Sequence, residues 1–463
     1  MSASAEDEVT EDEMTENEMT SGQVTEMPAP GRAAAGQVTR SLFRNPDYLG
    51  WWTGNSISAL GSSVSSIAYP LLVLFATGSV AKAGLISSAQ LIGLLVSSLW
   101  GGALADRVSR RAILITGPLV QAAILGAVAG LVGFGHIAIG LLALAAMLSG
   151  TASGAVLGAS TPALRKIVPK ERLSAATGQA MGRDLAADLI GSPLGGLLFA
   201  ITRWLPFAAD AVSFGFASLG AALIRTPLGP DRSAAQAGTT MLQEVTAGIR
   251  FVVREPFLRF VTIWASLAST ISEAFVLLII ALVRYRGGGP AEIGVVASIA
   301  LVGGIVGAVL APAVAKRISA RLVMYLAGWA FVATVVLVAW VRQPWQIGLI
   351  VFFTMLVNVP LNVVLEAYEV RLVPDRFSGR VSAAGRFGVY GLQWTGPLIA
   401  GLLAATFGVP GAILALAVAL VPLVLSLHVT RSLRILNVPV DQVVEASPDE
   451  IPAAGAQCGN SAN

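Results

Sequence analysis

The sequence predicts an all-α integral membrane protein of twelve transmembrane helices, built as two six-helix repeats, and three observations predict it. Of 463 residues, 55% are hydrophobic and 12% charged, with a mean hydropathy of +0.74; a soluble domain carries about 25% charged residues. Apolar stretches long enough to cross a bilayer, roughly 20 residues each, recur from Tyr48 onward between short polar turns. The halves also echo each other: IVPKERLSAATG (167–178) resembles LVPDRFSGRVSAAG (372–385), and GALADRVSRR (102–111) resembles PAVAKRISAR (312–321). Pro193 and Pro397 follow the first pair of segments at nearly equal distances. A displacement of about 205–210 residues fits a duplicated six-helix unit with a binding site where the units meet.

The expected spans follow in order. The first helix, 48–76, is apolar with one polar stripe; the second, 83–105, ends in the charged loop Asp106–Arg111. The third, 112–133, and fourth, 136–160, form a hairpin with almost no loop at His136, and Gly150, Gly154 and Gly158 suit the fourth to close packing. The fifth, 175–200, carries Asp188 and Pro193; the sixth, 205–225, closes the first repeat. The seventh, 258–283, carries a second polar stripe, and the eighth, 290–315, has Gly303 and Gly307 for packing. The ninth, 321–341, is apolar all round; the tenth, 344–366, is polar toward its end. The eleventh, 380–405, and the apolar twelfth, 408–429, are again almost without a loop, near Pro410.

These spans divide the chain into an acidic tail (1–40), a bundle (41–226), a loop (227–257), a second bundle (258–430) and a second tail (431–463). Nine acidic residues against Arg32 and Arg40 leave the first tail unable to bury a core, so it is expected to be disordered. It has no basic segment followed by an apolar one, so a cleaved signal peptide is not expected. In the loop, Met241, Leu242, Val245, Ile249 and Val252 stand at helical spacing and predict an amphipathic interfacial helix. An even number of spans puts both termini on one face. Only Lys82, Arg203, Arg284, Arg286 and Arg342 fall on the other, so the terminal face is expected to be cytoplasmic. Trp51, Trp52, Trp340 and Trp345 lie near helix ends, where tryptophan anchors to the bilayer interface.

Several functions are excluded. A P-loop needs a lysine after glycine, and the four lysines (Lys82, Lys166, Lys170, Lys316) follow Ala, Arg, Pro and Ala. Two histidines and one cysteine, Cys458, give little material for a metal centre or a nucleophile, and no cofactor is expected. The basic excess bears on topology and lipid, not on nucleic acid.

Polar residues at three- and four-residue steps mark helix faces. They are Asn55, Ser58, Ser62, Ser65 or Ser66, and Tyr69 in the first helix; Thr262, Ser266, Ser269 and Glu273 in the seventh; and Asn358, Asn362, Glu366 and Glu369 in the tenth. Such stripes line a polar cavity or hydrogen-bond neighbouring helices. Trp264 and Trp394, deeper in their helices, are candidates to stack against an amphipathic substrate. Intramembrane carboxylates are costly and mark functional sites. Glu273 is therefore the first candidate for a proton-coupling site and Asp188 the second, while Asp184, beside Arg183, is expected to form a structural ion pair.

The loop Gly102-Ala-Leu-Ala-Asp106-Arg107-Val-Ser-Arg110-Arg111 fits the G-x-L-x-D-R-x-x-R-R/K signature of the major facilitator superfamily, with Ser109 where a glycine is usual. Residues 44–74, PFAADAVSF (206–214) and AGIRFVVREPFLR (247–259) resemble the branch that holds enterobactin exporters and macrolide efflux proteins. The resemblance covers about 41–430. It implies that helices one, four, seven and ten line the cavity while three, six, nine and twelve lie outside. Drug antiporters of this family usually carry G-P-x-x-G-G in the fifth helix; here Gly191-Ser192-Pro193-Leu194-Gly195-Gly196 stands there, and Gly396-Pro397-Leu-Ile-Ala-Gly401 in the eleventh. Gly102, Asp106, Arg107, Arg110 and Arg111 serve either as topology anchors or as a charge latch between access states. The expectation is a monomeric secondary transporter of the bacterial cytoplasmic membrane, exporting a small amphipathic molecule such as an antibiotic or siderophore in exchange for protons. An importer or an exchanger without proton coupling is the alternative, with a membrane-embedded enzyme or receptor as a remote one.

Overall fold

The computed structural model describes residues 42–229, 249–373 and 375–438, with side chains at 98–107, 375–380, 382, 383 and 386 left out. The acidic tail and most of the proposed loop helix lie outside the described residues; 249–254 are helical. The helices are α1 (Pro46–Thr77), α2 (Val80–Arg107), α3 (Arg110–Gly133), α4 (Ile139–Ile167), α5 (Leu173–Ile201) and α6 (Leu205–Ala222). The second half holds α7 (Pro256–Tyr285), α8 (Pro290–Arg317), α9 (Ala320–Trp340), α10 (Pro344–Leu372), α11 (Asp375–Gln393) and α12 (Thr395–Val429).

The last two do not match the eleventh and twelfth spans directly. An apolar run from Phe387 to Val429 is helical over 43 residues, which would measure about 65 Å, twice the hydrocarbon thickness. It is broken at Gly408 (φ 68°, ψ 171°), a conformation only glycine adopts without strain. The stretch 395–407 thus completes the eleventh span begun by α11, and 409–429 forms the twelfth. Among the described residues eleven helical runs are long and apolar enough to cross a membrane, and dividing the longest at Gly408 gives the twelve expected spans.

Local sequence sets the helix ends. Asn45 caps α1 by accepting from the Asp47 and Tyr48 amides, Pro46 sits at the first helical position, and Gly78 (φ 71°) ends the helix. The Asn45 amide nitrogen also donates to the Ile167 carbonyl (3.0 Å), tying the start of α1 to the end of α4. Interior prolines at 70, 118, 162, 193, 312 and 360 leave their helices continuous, as neighbouring helices in a membrane bundle permit.

The duplication is visible in the packing. In the first half α2 packs on α4, α1 on α5 and α6, and α3 on α4 and α6; in the second, α8 packs on α10, α7 on α11 and α12, and α9 on α10 and α12. The two halves meet along two equivalent seams, α5 on α8 and α2 on α12. Each seam rests on one of the echoed prolines. A Cβ at Gly294 would stand 2.8 Å from the Pro193 Cα, and one at Gly84 would stand 2.2 Å from the Pro397 carbonyl oxygen. Beyond them Gly196 meets Pro290, and Gly401 meets Ala81. Arg284 of α7 lies over the Phe75 ring of α1 at 4.8 Å. All of these contacts sit on the far-face side, so the far face is shut. Toward the terminal face α5 turns bare surface outward, with Met181 62% exposed.

The tryptophans divide. Trp340 and Trp345 are exposed near the far face, as interfacial anchors should be. Trp51 corrects that expectation: it is buried beside Tyr48, with the Arg183 guanidinium 5.5 Å above its ring. Arg183 pairs with Asp184 (2.8 Å), as their adjacency suggested.

Candidate functional site

A cavity of about 310 Å³ lies between the halves, bounded by Ser66 and Pro70 of α1, Gln90 of α2, Ser153 of α4, Glu273 of α7 and Pro397 of α12. Glu273 is the acidic side chain among its lining residues, and its carboxylate accepts from the Gln393 amide at 2.7 Å. The junction of α11 and α12 supplies this partner. Gln393 ends α11, Trp394 turns its indole N–H back to the Gly391 carbonyl (2.9 Å), and Gly396 lets α12 lie against the Thr270 carbonyl of α7. A carboxylate is thus held at the α7–α11 contact while facing the seam of the two halves.

A second cavity, about 460 Å³, opens toward the terminal face between α7, α10 and α11. Thr262 from the α7 stripe and Asn362, Glu366 and Glu369 from the α10 stripe line it, with Phe257, Leu258 and Tyr390 among its apolar walls. Ser66, Leu91, Leu94 and Leu277 give the first cavity the same mixture of a few polar groups on apolar walls, which suits an amphipathic ligand.

The other candidates fall in several environments. Asp188 accepts from Ser63 Oγ across the α1–α5 contact and is exposed on its outer side. Asn55 donates to the Trp51 carbonyl of its own helix (2.7 Å), Ser58 is buried, and the Ser62 carbonyl accepts from Ser65 Oγ. Tyr69 is buried edge-on against Phe207 of α6 (5.0 Å between ring centres), away from the cavity. Ser266 is buried, Ser269 and Asn358 are half-buried, and Trp264 donates to the Leu423 carbonyl of α12 (3.3 Å). Tyr69 and Trp264 therefore pack between helices and do not line either cavity.

In the charged loop, α2 runs through Gly102, Asp106 and Arg107, whose side chains lie outside the described ones. Arg110 is 5% exposed and its amide donates to the Leu228 carbonyl (3.0 Å). Arg111 donates to the Ala222 carbonyl at the end of α6 (2.8 Å), and Asp47 accepts from the Arg225 and Thr226 amides just beyond (2.9 and 2.8 Å). The loop thus grips the exit of α6. Among the described residues, no three His, Cys, Asp or Glu side chains gather as metal ligands would.

Sequence reasoning missed Asp210. It is 1% exposed in α6 and accepts from Ser65 Oγ of α1 and Ser213 Oγ (2.9 Å). Its signal was present: it is the sole charged residue of an 18-residue apolar helix. The stretch Ser62–Ser66 of α1 thereby meets three carboxylates, with Ser63 on Asp188, Ser65 on Asp210 and Ser66 sharing the cavity with Glu273.

The sequence model of the Major Facilitator Superfamily matches residues 51–394. The chain is 27% identical over 210 residues to proteins described as multidrug efflux pump Tap, from Mycobacterium bovis and Mycobacterium tuberculosis. That match takes in 42% of this chain and 48% of those proteins, so the chain spans about half the length of the curated relatives it matches. Two crystal structures of the nucleoside transporter NupG share the fold at 14% identity. One has a TM-score of 0.63 over 81% of this chain and 96% of NupG; the other, of a NupG mutant, has 0.60 over 82% and 99%.

Proposed function

The chain belongs to the Major Facilitator Superfamily and is a transporter, and from that premise we propose that it exports a small amphipathic molecule by alternating access, driven by protons that load and leave Glu273. The observation that carries this reading is the Glu273 carboxylate, which lines the inter-half cavity beside the α2–α12 seam. A carboxylate so placed changes its surroundings whenever the seam opens, and a group whose hydration changes between two states binds a proton differently in each. Asp188, exposed beside Ser63, is the second site. The partial likeness to multidrug efflux pumps supports outward transport of an organic molecule. Gly102, Asp106, Arg107, Arg110 and Arg111 form the terminal-face latch in this scheme. The distribution of basic residues supports a bacterial cytoplasmic membrane location with both termini cytoplasmic, and the protein works as a monomer.

Proteoliposomes with an imposed pH gradient test the reading. Glu273→Gln should lose gradient-driven transport and keep substrate exchange. Undiminished gradient-driven transport in both Glu273→Gln and Asp188→Asn overturns it. Wild-type exchange that ignores the gradient assigns an uncoupled exchanger instead.

A further inference from the structure

The far face of the second half carries a polar hollow of about 580 Å³, between the turn joining α7 to α8 and the turn joining α9 to α10. It is separate from the inter-half cavity, and the transport scheme makes no use of it. Two guanidinium groups, from Arg286 and Arg342, line it. Arg286 is fixed in place: its Nη2 donates to the Val338 and Ala339 carbonyls at the end of α9 (3.3 and 2.7 Å). Its Nη1 is buried and has no hydrogen-bond partner among the described residues. Arg342 is exposed, and no carboxylate among the described residues is within ion-pair distance of either group. Glu292, at the edge of the hollow, is already engaged, accepting from the Gly289 amide at 2.8 Å.

Burial, and after it the charge of Arg342, lowers the pKa of Arg286. A guanidinium nonetheless stays charged at any physiological pH, so two like charges share a hollow whose lining holds one carboxylate, Glu292 at its edge, and a net positive charge is left over. Gly287 (φ 85°) and Gly288 keep the adjoining turn free of side chains. Trp340, 76% exposed, lines the same hollow, and tryptophan at a helix end marks the headgroup level of a bilayer.

We propose that this hollow binds a phosphate-bearing anion between Arg286 and Arg342, supplied by the headgroup of an anionic lipid in the far-side leaflet. The exposed Arg342 guanidinium offers its donors to the hollow and the fixed Arg286 guanidinium adds a second positive charge, a pairing that suits a phosphate diester. The rim tryptophan sets the site at the depth where such headgroups lie. Soluble phosphate presents the same chemistry, and the experiment separates the two sources.

Native mass spectrometry of the full chain in detergent, with added dioleoylphosphatidylglycerol or dioleoylphosphatidylcholine, reads out retention; sodium phosphate is added in a parallel arm with a thermal melt. Arg342 makes no hydrogen bond to a described residue, so Arg342→Gln is the clean variant, whereas Arg286→Gln would also uncap α9. The wild type should retain phosphatidylglycerol over phosphatidylcholine. Arg342→Gln should weaken that retention about tenfold at unchanged melting temperature, and Arg342→Lys should restore part of it. A phosphate-dependent rise in melting temperature that Arg342→Gln abolishes, with the two lipids retained equally, assigns the site to soluble phosphate. Equal lipid retention in wild type and Arg342→Gln, with no phosphate-dependent melt, overturns the proposal.

Discussion

Replacing Gly84 by alanine should open the far face. The added Cβ would stand 2.2 Å from the Pro397 carbonyl oxygen and 3.4 Å from Leu277 Cδ2. Ordinary contact begins about 1 Å farther out than the first of these distances, and backbone on both sides of the seam leaves no flexible side chain to yield. Overpacking of this kind costs about 1–3 kcal/mol. The contact exists only while α2 and α12 are together, so the cost falls on the shut state alone and shifts the ratio of states by about 5- to 150-fold. Ser88 shares a face of α2 with Ala81 and Gly84 and is 1% exposed. In a Cys458→Ser background, Ser88→Cys should react slowly with an impermeant maleimide applied from the far side. Adding Gly84→Ala should speed that reaction by at least several-fold. An unchanged labelling rate at equal membrane level would refute the argument that this seam holds the far face shut.

Other outcomes follow from the same geometry. Asp210→Leu strands two hydroxyls that now face a carboxylate, and should lower the melting temperature in detergent by the equivalent of about 1–3 kcal/mol; Asp210→Asn should lose less, and equal melting for all three proteins would deny Asp210 a role in holding α6 to α1. Asp106→Asn and Arg110→Ala should each cripple transport at near-normal membrane level; wild-type rates in both would reduce the loop to a topology signal. Deleting residues 1–38 should leave transport intact, and its collapse at equal membrane level would make the acidic tail a working part.

How much could be read in advance depended on what periodicity encodes. A stripe fixes which residues share a helix face: Thr262 with Glu273, and Asn362 with Glu366, could be grouped before any packing was known, and Thr262, Asn362 and Glu366 line one cavity while Glu273 lines the other. The same stripe cannot say which neighbour covers its far end. Tyr69 extends the α1 stripe by helical steps, yet α6 covers it with Phe207. Trp264, inside the α7 stretch, is turned toward α12. Asp210 was passed over although it lies inside the expected sixth span, because it belongs to none of the polar stripes; only the serine brought by α1 shows that it is buried between helices. The echoed prolines were legible as a repeat, while their role as the two bearing points of the inter-half seams needed the third dimension.

The break at Gly408 bears on what the bilayer feels during transport. A joint of one residue has no slack: it can pivot but cannot lengthen. A displacement of the far-face end of 395–407 away from α2 therefore draws with it the start of 409–429, which is among the most apolar stretches of the chain and has Val418 73% exposed. The seam helix and the lipid-facing wall are thus tethered end to end at Gly408. Were the far face to open by moving 395–407, the start of 409–429 would be shifted against acyl chains, and the stiffness and thickness of the membrane would enter the barrier to that step.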